Sequence, residues 1–397
     1  MILEISQFAV CQINNIRNSL VLIFMLFINM SLYGKNVQEG DSTIGKEKVN
    51  LYQRIKRYFD DTNKSKDDKR FDFSLIGGPH YSSDTKLGLG IVAAGIYRCS
   101  MRDTITSPSN VSLYGDICTS GFYMLGIRGN HLFPSDRSRI DYDFYFYSFP
   151  TKFWGVGYEN AIDNHNEIEY DDFRFQLKVD ASFRIAEGLY LGPSLTFDKI
   201  KAKKVKDIEK WGQTPRKTID FGIGGKIIWD TRDNLTAPKT GCMAGVSFNY
   251  YPLWLGNESR FSLLDLQFNN YCKLWKDATL ATRWHARLGY GNVPWTMLPS
   301  FGGSMTMRGY YEGRFRDKKE MDITVELRQR VWRRSGMVIW VGCGNVCDKI
   351  SDFRFSHVLP NVGIGYRWEF KKNTNVRLDF GIGKKQTGFI FNINEAF

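Results

Sequence analysis

The segment from Phe301 to Arg316, FGGSMTMRGYYEGRFR, concentrates glycines, aromatic residues and arginines in one stretch. It is too irregular for a helix and too rich in glycine for a packed strand, so it is predicted to be a loop. Near its centre, Arg308 stands between Met307 and Gly309. A guanidinium removed from water needs a carboxylate, because an unpaired buried charge is costly and a carboxylate accepts two of its hydrogen bonds. The chemistry predicted for this loop is therefore a buried ion pair.

A candidate acceptor for Arg308 lies in the run ITVELRQRVW. Thr324, Glu326 and Arg328 alternate there with Val325 and other apolar residues. Alternation of this kind places the polar and apolar sets on opposite faces of a β-strand. Glu326 is thus predicted to lie on the polar face of a strand that follows the loop.

Hydrolytic catalysis is the alternative use of the polar residues. The sequence contains no Gly-x-Ser-x-Gly elbow, and no serine and histidine are paired by an obvious motif. We therefore expect no enzymatic activity, no cofactor and no bound metal ion. The histidines weighed for such a role are His80, His131, His165, His285 and His357.

Alternation recurs along the chain and predicts the elements that position these residues. In Phe173–Ile185, FRFQLKVDASFRI, every odd-numbered residue is apolar and every even-numbered residue is polar. Similar runs give about sixteen predicted strands, an even number that suits an antiparallel barrel. Their predicted ranges are 71–78, 85–98, 109–120, 122–133, 138–150, 170–185, 188–202, 216–230, 240–252, 260–275, 278–291, 319–332, 335–347, 358–370, 373–384 and 387–397.

Either a soluble β-fold or a membrane barrel produces this alternation. Strands of soluble proteins average about 5–6 residues, whereas a tilted strand needs about 9–11 to cross a bilayer. Many predicted strands reach the longer length, so we predict an all-β fold, a transmembrane antiparallel β-barrel. Aromatic girdles at both lipid–water interfaces are typical of such barrels. Aromatic groups near predicted strand ends are Tyr145–Phe149, Tyr250–Trp254, Tyr271–Trp275 and Tyr366–Phe370.

The N-terminal part of the chain has a different composition. Residues 1–34 contain the apolar run LVLIFMLFI after Arg17, which is typical of a secretory signal peptide and shorter than the ~20 residues of a membrane-spanning helix. A buried N-terminal helix is the alternative. Residues 35–70 are highly charged and predict a short periplasmic segment with one short helix. The barrel is predicted over residues 71–397, in the outer membrane of a Gram-negative bacterium.

The formal net charge is +12. Because the arginines are interleaved along predicted strands instead of forming one patch, the charge indicates a charged lumen or contact with lipid phosphates, and no nucleic-acid binding. An even number of cysteines in an exported chain permits disulfides, but their scattered spacing favours free thiols. The cysteines beyond the predicted signal peptide are Cys99, Cys118, Cys242, Cys272, Cys343 and Cys347.

Several of these motifs occur in the order found in one family. The sequence over residues 71–397 resembles the BamA/TamA-type outer-membrane assembly factors, also called bacterial surface antigens. The segments that carry the resemblance are Met307-Arg308-Gly309-Tyr310, WDTRDNLTAPKTG at 229–241, ITVELRQRVW at 323–332, WVGCGNV at 340–346, and the final strands.

The resemblance implies that the Arg-Gly-Tyr loop is a long extracellular loop folded into the lumen. Its arginine would be held by acidic residues of the inner wall, with Glu326 as one partner. The family's acidic position in the next strand corresponds to Gly342. We therefore expect one of the two partners to be absent.

The two ends of the barrel sequence also have counterparts in the family. The resemblance implies a lateral gate between the first and last strands, where an incoming strand pairs by β-augmentation. A glycine–proline step in the first strand would leave this seam short of hydrogen bonds, or would be only the turn into the second strand. The seam residues are Gly77, Gly78 and Pro79. The last strand, whether an insertion signal or only a lipid-facing strand, presents Phe389, Phe391, Ile393 and Phe397.

In function, the resemblance implies insertion or translocation of proteins, or of lipid, through the seam. The implied partners are outer-membrane lipid, lipopolysaccharide, nascent outer-membrane proteins and accessory lipoproteins. Residues 35–70 are too short for the family's periplasmic POTRA domains, so a form lacking them is expected. The alternative is a pore-forming or structural barrel whose arginine- and lysine-rich inner face favours anions.

Overall fold

The computed structural model describes residues 71–82, 86–99, 108–119, 121–371 and 373–397. The predicted signal peptide, 1–34, and the charged segment, 35–70, lie outside the described residues. The strands are β1 (Phe71–Ser82), β2 (Lys86–Tyr97), β3 (Ser109–Cys118), β4 (Tyr123–Leu132), β5 (Ser138–Phe153), β6 (Ile168–Ala186), β7 (Leu189–Lys203), β8 (Lys217–Asp230), β9 (Gly241–Tyr251), β10 (Phe261–Lys273), β11 (Ala278–Gly291), β12 (Lys319–Trp332), β13 (Ser335–Cys347), β14 (Leu359–Lys371), β15 (Thr374–Gly383) and β16 (Gln386–Ile393).

These strands form one 16-stranded sheet in which each strand pairs with its neighbours in sequence. Every pairing is antiparallel, as between β11 and β12 or between β15 and β16. The predicted strand number, order and all-β barrel architecture are thus confirmed. One end of the barrel has tight turns such as 187–188 and 333–334, and the other has long loops such as 154–167 and 292–318. In membrane barrels the longer loops are extracellular.

The two faces of the sheet have the polarity of a membrane barrel. Large apolar side chains face outward: Trp284, Phe389 and Phe391 are each 57% exposed. Charged side chains of the opposite face are buried, as Arg283 and Asp322 show. The outer face therefore suits lipid, and the polar face lines the lumen.

Short helical turns accompany the long loops. The α-helices are α1 (Tyr158–Ile162) and α2 (Ile208–Trp211). Among the described residues, none of the helices has the length and hydropathy needed to span a membrane. Cys99, Cys242, Cys272, Cys343 and Cys347 have free thiols, as predicted.

Three predictions about strand ends are wrong. Tyr145–Phe149 lies inside β5 and not at a strand end, because β5 continues to Phe153. The Gly-Gly-Pro step lies inside β1, where Gly78 pairs with Gly90, so it is not the turn into β2. The last strand ends at Ile393, before the predicted residue 397.

Candidate functional site in the barrel lumen

Residues 292–318, called the lumen loop below, connect β11 to β12 and fold into the barrel. On one side of the barrel, Trp295 packs against an aromatic cluster at the ends of β5, β6 and the β7–β8 connection. Its ring centroid lies 4.9 Å from that of Phe153, 5.8 Å from that of Tyr170 and 5.2 Å from that of Trp211. The indole nitrogen of Trp295 donates to the carbonyl of Pro215 at 2.7 Å. This cluster anchors the beginning of the lumen loop.

The tip of the lumen loop contacts the other side of the barrel. The hydroxyl of Tyr310 donates to the carbonyl oxygen of Pro360 at 2.6 Å and accepts from the backbone N–H of Lys384 at 2.7 Å. The backbone N–H of Tyr311 donates to Oε1 of Gln386 at 3.0 Å. Because the loop is bonded to strands on both sides, it bridges the lumen.

Arg308 is the most strongly held side chain of the tip. Its Nη1 donates to Oδ2 of Asp379 at 2.7 Å, and its Nη2 donates to Oε2 of Glu326. The guanidinium carbon lies 3.8 Å from the ring centroid of Trp340, and Nδ2 of Asn361 donates to the carbonyl oxygen of Arg308. Arg308 is only 2% exposed. Two charge-assisted hydrogen bonds and a cation–π contact therefore fix a buried cation.

Both carboxylates that hold Arg308 have a second arginine partner. Arg328 donates through Nε to Glu326 at 2.6 Å, and Arg367 donates through Nη1 to Asp379 at 2.6 Å. Glu395 closes the ring, since Arg367 Nε donates to it at 2.8 Å and Arg328 Nε lies 3.8 Å away. Arg377 also lies beside Asp379, with its Nη1 3.7 Å from Oδ2, so four guanidinium groups and three carboxylates share this buried region. These side chains, called the ion network, are Arg308, Glu326, Arg328, Arg367, Arg377, Asp379 and Glu395.

The backbone of the loop tip packs closely against glycines of the barrel wall, and this packing explains why a glycine follows Arg308. Gly309 has a φ of 111°, which favours glycine. A Cβ atom on Gly309 would lie 2.5 Å from the carbonyl carbon of Gly381, and one on Gly388 would lie 3.1 Å from Cα of Gly309. The backbone of the tip thus lies directly on β15 and β16. Gly309, Gly381 and Gly388 are called the glycine seat below.

Near the end of the lumen loop, backbone carbonyl oxygens accept hydrogen bonds from the charged side chain of Arg316. Arg316 donates through Nε to the carbonyl of Gly313 at 2.7 Å and through Nη1 to the carbonyl of Trp295 at 3.3 Å. Its guanidinium carbon lies 5.2 Å from the ring centroid of Phe153. Burial lowers the pKa of Arg316 below its ordinary value. Aromatic and carbonyl contacts therefore take the place of solvent around this charge.

The structure brings the predicted loop motif together with its predicted partner. Met307, Arg308, Gly309 and Tyr310 form the tip, and Glu326 binds the arginine. The expectation that the second acidic partner is absent was wrong. Gly342 pairs with Thr324 in the β12–β13 ladder, but Asp379 of β15 supplies the second carboxylate. The signal in the sequence was the charged pair Arg377 and Asp379 on one face of an otherwise apolar strand.

The end of the chain turns into the lumen after β16. Asn394 has a φ of 68°, and its N–H donates to the carbonyl of Asn375 at 2.7 Å. The Phe397 ring centroid lies 5.1 Å from the guanidinium carbon of Arg328 and 6.5 Å from the ring centroid of Tyr271. Phe397 therefore lies on the lumen side. The prediction that it continues the row of Phe389 and Phe391 is wrong.

Comparisons with known proteins agree with this architecture. The family model described as the Omp85 superfamily domain matches residues 127–397. The chain is similar in structure to BamA from Haemophilus ducreyi lacking POTRA domains 1–3, with a TM-score of 0.51, 14% identity, and coverage of 82% of this chain and 70% of that chain. It is also similar to CdiB from Escherichia coli, with a TM-score of 0.53, 12% identity, and coverage of 82% of this chain and 62% of that chain. At these identities the structural matches show the fold alone. A comparison with curated protein sequences gives no match.

Proposed function

From the premise that the chain belongs to the Omp85 superfamily and is an outer-membrane β-barrel, we propose that it aids the insertion or translocation of proteins, or of lipid, at the outer membrane. The proposed route is a lateral seam between β1 and β16. The proposed partners are outer-membrane lipid, lipopolysaccharide, nascent outer-membrane proteins and accessory lipoproteins. We further propose that residues 1–34 export the chain, and that the barrel acts without enzymatic chemistry or a catalytic cofactor.

The observation that carries this proposal is the pairing at the two ends of the sheet. Within the described residues, β1 pairs with β2 and β16 pairs with β15, and no ladder joins β1 to β16. Gly77, Gly78 and Pro79 lie in the middle of β1. Proline has no backbone donor and glycine contributes no packing side chain, so this edge is poor in stabilising groups. An incoming strand would find main-chain hydrogen bonds to make at such an edge.

The ion network supports the same proposal. Its members come from β12, β14, β15, the tip of the lumen loop and the segment after β16. The C-terminal strands are therefore fastened to the loop inside the lumen. We therefore expect this barrel to open first between β1 and β16, because the ion network holds the neighbouring C-terminal strands together.

The proposed seam can be sealed and the barrel then tested. Cysteines introduced along the two edges, at Leu75 and Ile393, would be oxidised to a disulfide in protein that has been reconstituted into liposomes. The assay is the folding of a urea-denatured outer-membrane β-barrel into these liposomes, followed by its heat-dependent electrophoretic shift. We expect the reduced variant to accelerate folding of the added β-barrel relative to empty liposomes. The oxidised variant should lose this acceleration.

A matched control uses strands that already pair. Leu378 of β15 lies opposite Phe391 of β16, so a disulfide between cysteines at these positions should leave activity unchanged. Full activity in a barrel sealed at the seam would refute lateral opening. If the reduced, unsealed barrel does not accelerate folding of the added β-barrel, the assembly function itself is refuted.

Electrical conductance separates the proposal from the alternative of a pore-forming or structural barrel. Since the lumen loop is bonded to both sides of the barrel, we expect low conductance in planar bilayers and a marked rise after Arg308→Ala. A steadily open, anion-selective current through the unmodified protein would favour the pore.

A further inference from the structure

A second group of charged residues lies on the lumen wall, outside the ion network. His285 of β11 is directly opposite Asp322 of β12, and Glu320 is two residues before Asp322 on the same face. Asp265 of the neighbouring strand β10 approaches His285 from the other side. The alternation of strand faces therefore brings one imidazole and three carboxylates together.

We propose that His285, Glu320 and Asp322 form a binding site for a divalent transition-metal cation of the zinc type, with Asp265 as a positioning residue for the histidine. The three side chains each offer one ligand atom, and these atoms all lie within 4.8 Å of one another. Nδ1 of His285 lies 3.1 Å from Oδ2 of Asp322 and 3.2 Å from Oε2 of Glu320. Tetrahedral zinc with ligand bonds of about 2.0–2.2 Å would place neighbouring ligand atoms about 3.3–3.6 Å apart. The measured spacings are close to that value.

The state of Glu320 is the independent observation that points to a cation. Glu320 is 0% exposed, and neither of its carboxylate oxygens accepts a hydrogen bond. Burying an uncompensated carboxylate is expensive. Asp322 differs, because its Oδ1 accepts from Nη1 of Arg283 at 2.7 Å. Glu320 thus has both oxygens available for a ligand.

A protonated His285 is the competing explanation, because an imidazolium would donate to Asp322 and Asp265 and lie at ion-pair distance from Glu320. A proton on Nδ1 serves one acceptor, and the hydrogen bond that this nitrogen makes is to Asp322, at 3.1 Å. Glu320 lies at ion-pair distance from the same nitrogen but outside hydrogen-bond geometry. A metal ion would coordinate both carboxylates at once, whereas a single Nδ1 proton leaves Glu320 with an ion pair and no hydrogen bond.

The other nitrogen of His285 has the partner that a metal-binding histidine requires. Nε2 lies 3.4 Å from Oδ2 of Asp265. A histidine that donates one N–H to a carboxylate presents the lone pair of its other nitrogen to a metal. The side chain of Asp265 is 39% exposed and that of His285 is 11% exposed, so this side of the site opens to the lumen and gives an ion a path of entry.

The ligand set also indicates the class of ion. One imidazole nitrogen and two carboxylate oxygens suit zinc and similar divalent ions, whereas calcium takes six to eight oxygen ligands. Glu320 is the second residue of β12, directly after the lumen loop. A bound ion would fasten β11 to β12 where the lumen loop returns to the wall.

The test uses the full chain, purified in detergent, stripped of metal with a chelator and then titrated with Zn²⁺ or Co²⁺. We expect one equivalent of metal per chain by elemental analysis, and a Co²⁺ absorption spectrum typical of tetrahedral coordination. Glu320→Gln should abolish stoichiometric binding, and Asp265→Asn should weaken it about 10- to 100-fold, as is typical of positioning carboxylates. The heat-dependent electrophoretic shift would verify that each variant is folded.

His165→Gln is the matched control, because His165 also lies beside a carboxylate, 2.8 Å from Asp163, but its side chain is 94% exposed. Its removal should leave binding unchanged. The proposal is overturned if the unmodified protein binds no metal. It is equally overturned if folded Glu320→Gln binds as much metal as the control, or if NMR of the metal-titrated protein shows both ring nitrogens of His285 protonated.

Discussion

Replacing Arg308 by alanine should release the lumen loop from the barrel wall. The substitution removes two charge-assisted hydrogen bonds, to Glu326 and Asp379, and a cation–π contact with Trp340. Removing one partner of a buried ion pair costs about 3–5 kcal/mol, and a desolvated cation–π contact is worth about 2 kcal/mol. Each carboxylate keeps a second arginine, which offsets part of the loss. We therefore expect loop docking to weaken by about 3–5 kcal/mol, which is roughly two to three and a half powers of ten in the docking equilibrium.

Hydrogen–deuterium exchange measures this loss directly. The N–H of Tyr311 donates to Oε1 of Gln386 in β16 at 3.0 Å, and that of Gly303 donates to the carbonyl of Tyr310 within the loop at 3.2 Å. These amides exchange with solvent when the tip opens, so their protection reports the docking free energy. In Arg308→Ala they should exchange far faster, while amides of the outer strands keep their protection.

Further variants test the physical cause. Arg308→Lys keeps the charge but loses the forked geometry, so its protection should be intermediate. In the Glu326→Gln, Asp379→Asn background, Arg308→Ala should cost less than it does alone, as a double-mutant cycle requires of coupled groups. Arg333→Ala, in the exposed turn after β12, should change nothing. Unchanged protection of the tip amides in Arg308→Ala would refute the claim that the ion network holds the loop.

Two other substitutions follow from the structure. Gly381→Ala adds a Cβ atom that overlaps the carbonyl of Arg308, so we expect loop docking to lose about 1–3 kcal/mol by the same exchange measurement; a fully protected tip would contradict the glycine seat. Phe389→Lys places a charge on the lipid face, where Phe389 is 57% exposed, and should cost about 2–4 kcal/mol of barrel stability if it lies near the bilayer midplane. Urea titration in liposomes would measure this cost, and an unchanged midpoint would contradict the assignment of that face to lipid.

The strands were predictable because a barrel imposes the same two-residue period on its whole length. In Phe173–Phe183 the polar side chains face the lumen and the apolar ones face outward, so local sequence determines the face. The partner of Arg308 in β15 was not predictable in the same way. Asp379 is separated from Arg308 by 71 positions, and only the register of β12 to β15 brings them together.

The end of β16 could have been predicted from the alternation itself. The residues at 389, 391 and 393 are apolar, but the next position of the same row is Glu395. A carboxylate in a lipid-facing row is costly, and this cost explains why the strand ends at Ile393. The turn at Asn394 sends Glu395 inward to Arg367, and Phe397 follows it. The direction of the chain after β16 depends on the ion pair between Glu395 and Arg367. Sequence periodicity does not reveal that pairing.

The glycine seat has a mechanical consequence. Gly388 belongs to β16, so the strand that supports the loop tip is also one edge of the proposed lateral seam. If β16 moves outward, the loop tip loses its contact with Gly388 at the same time. Release of the lumen loop and opening of the seam would then be coupled, so that either event favours the other.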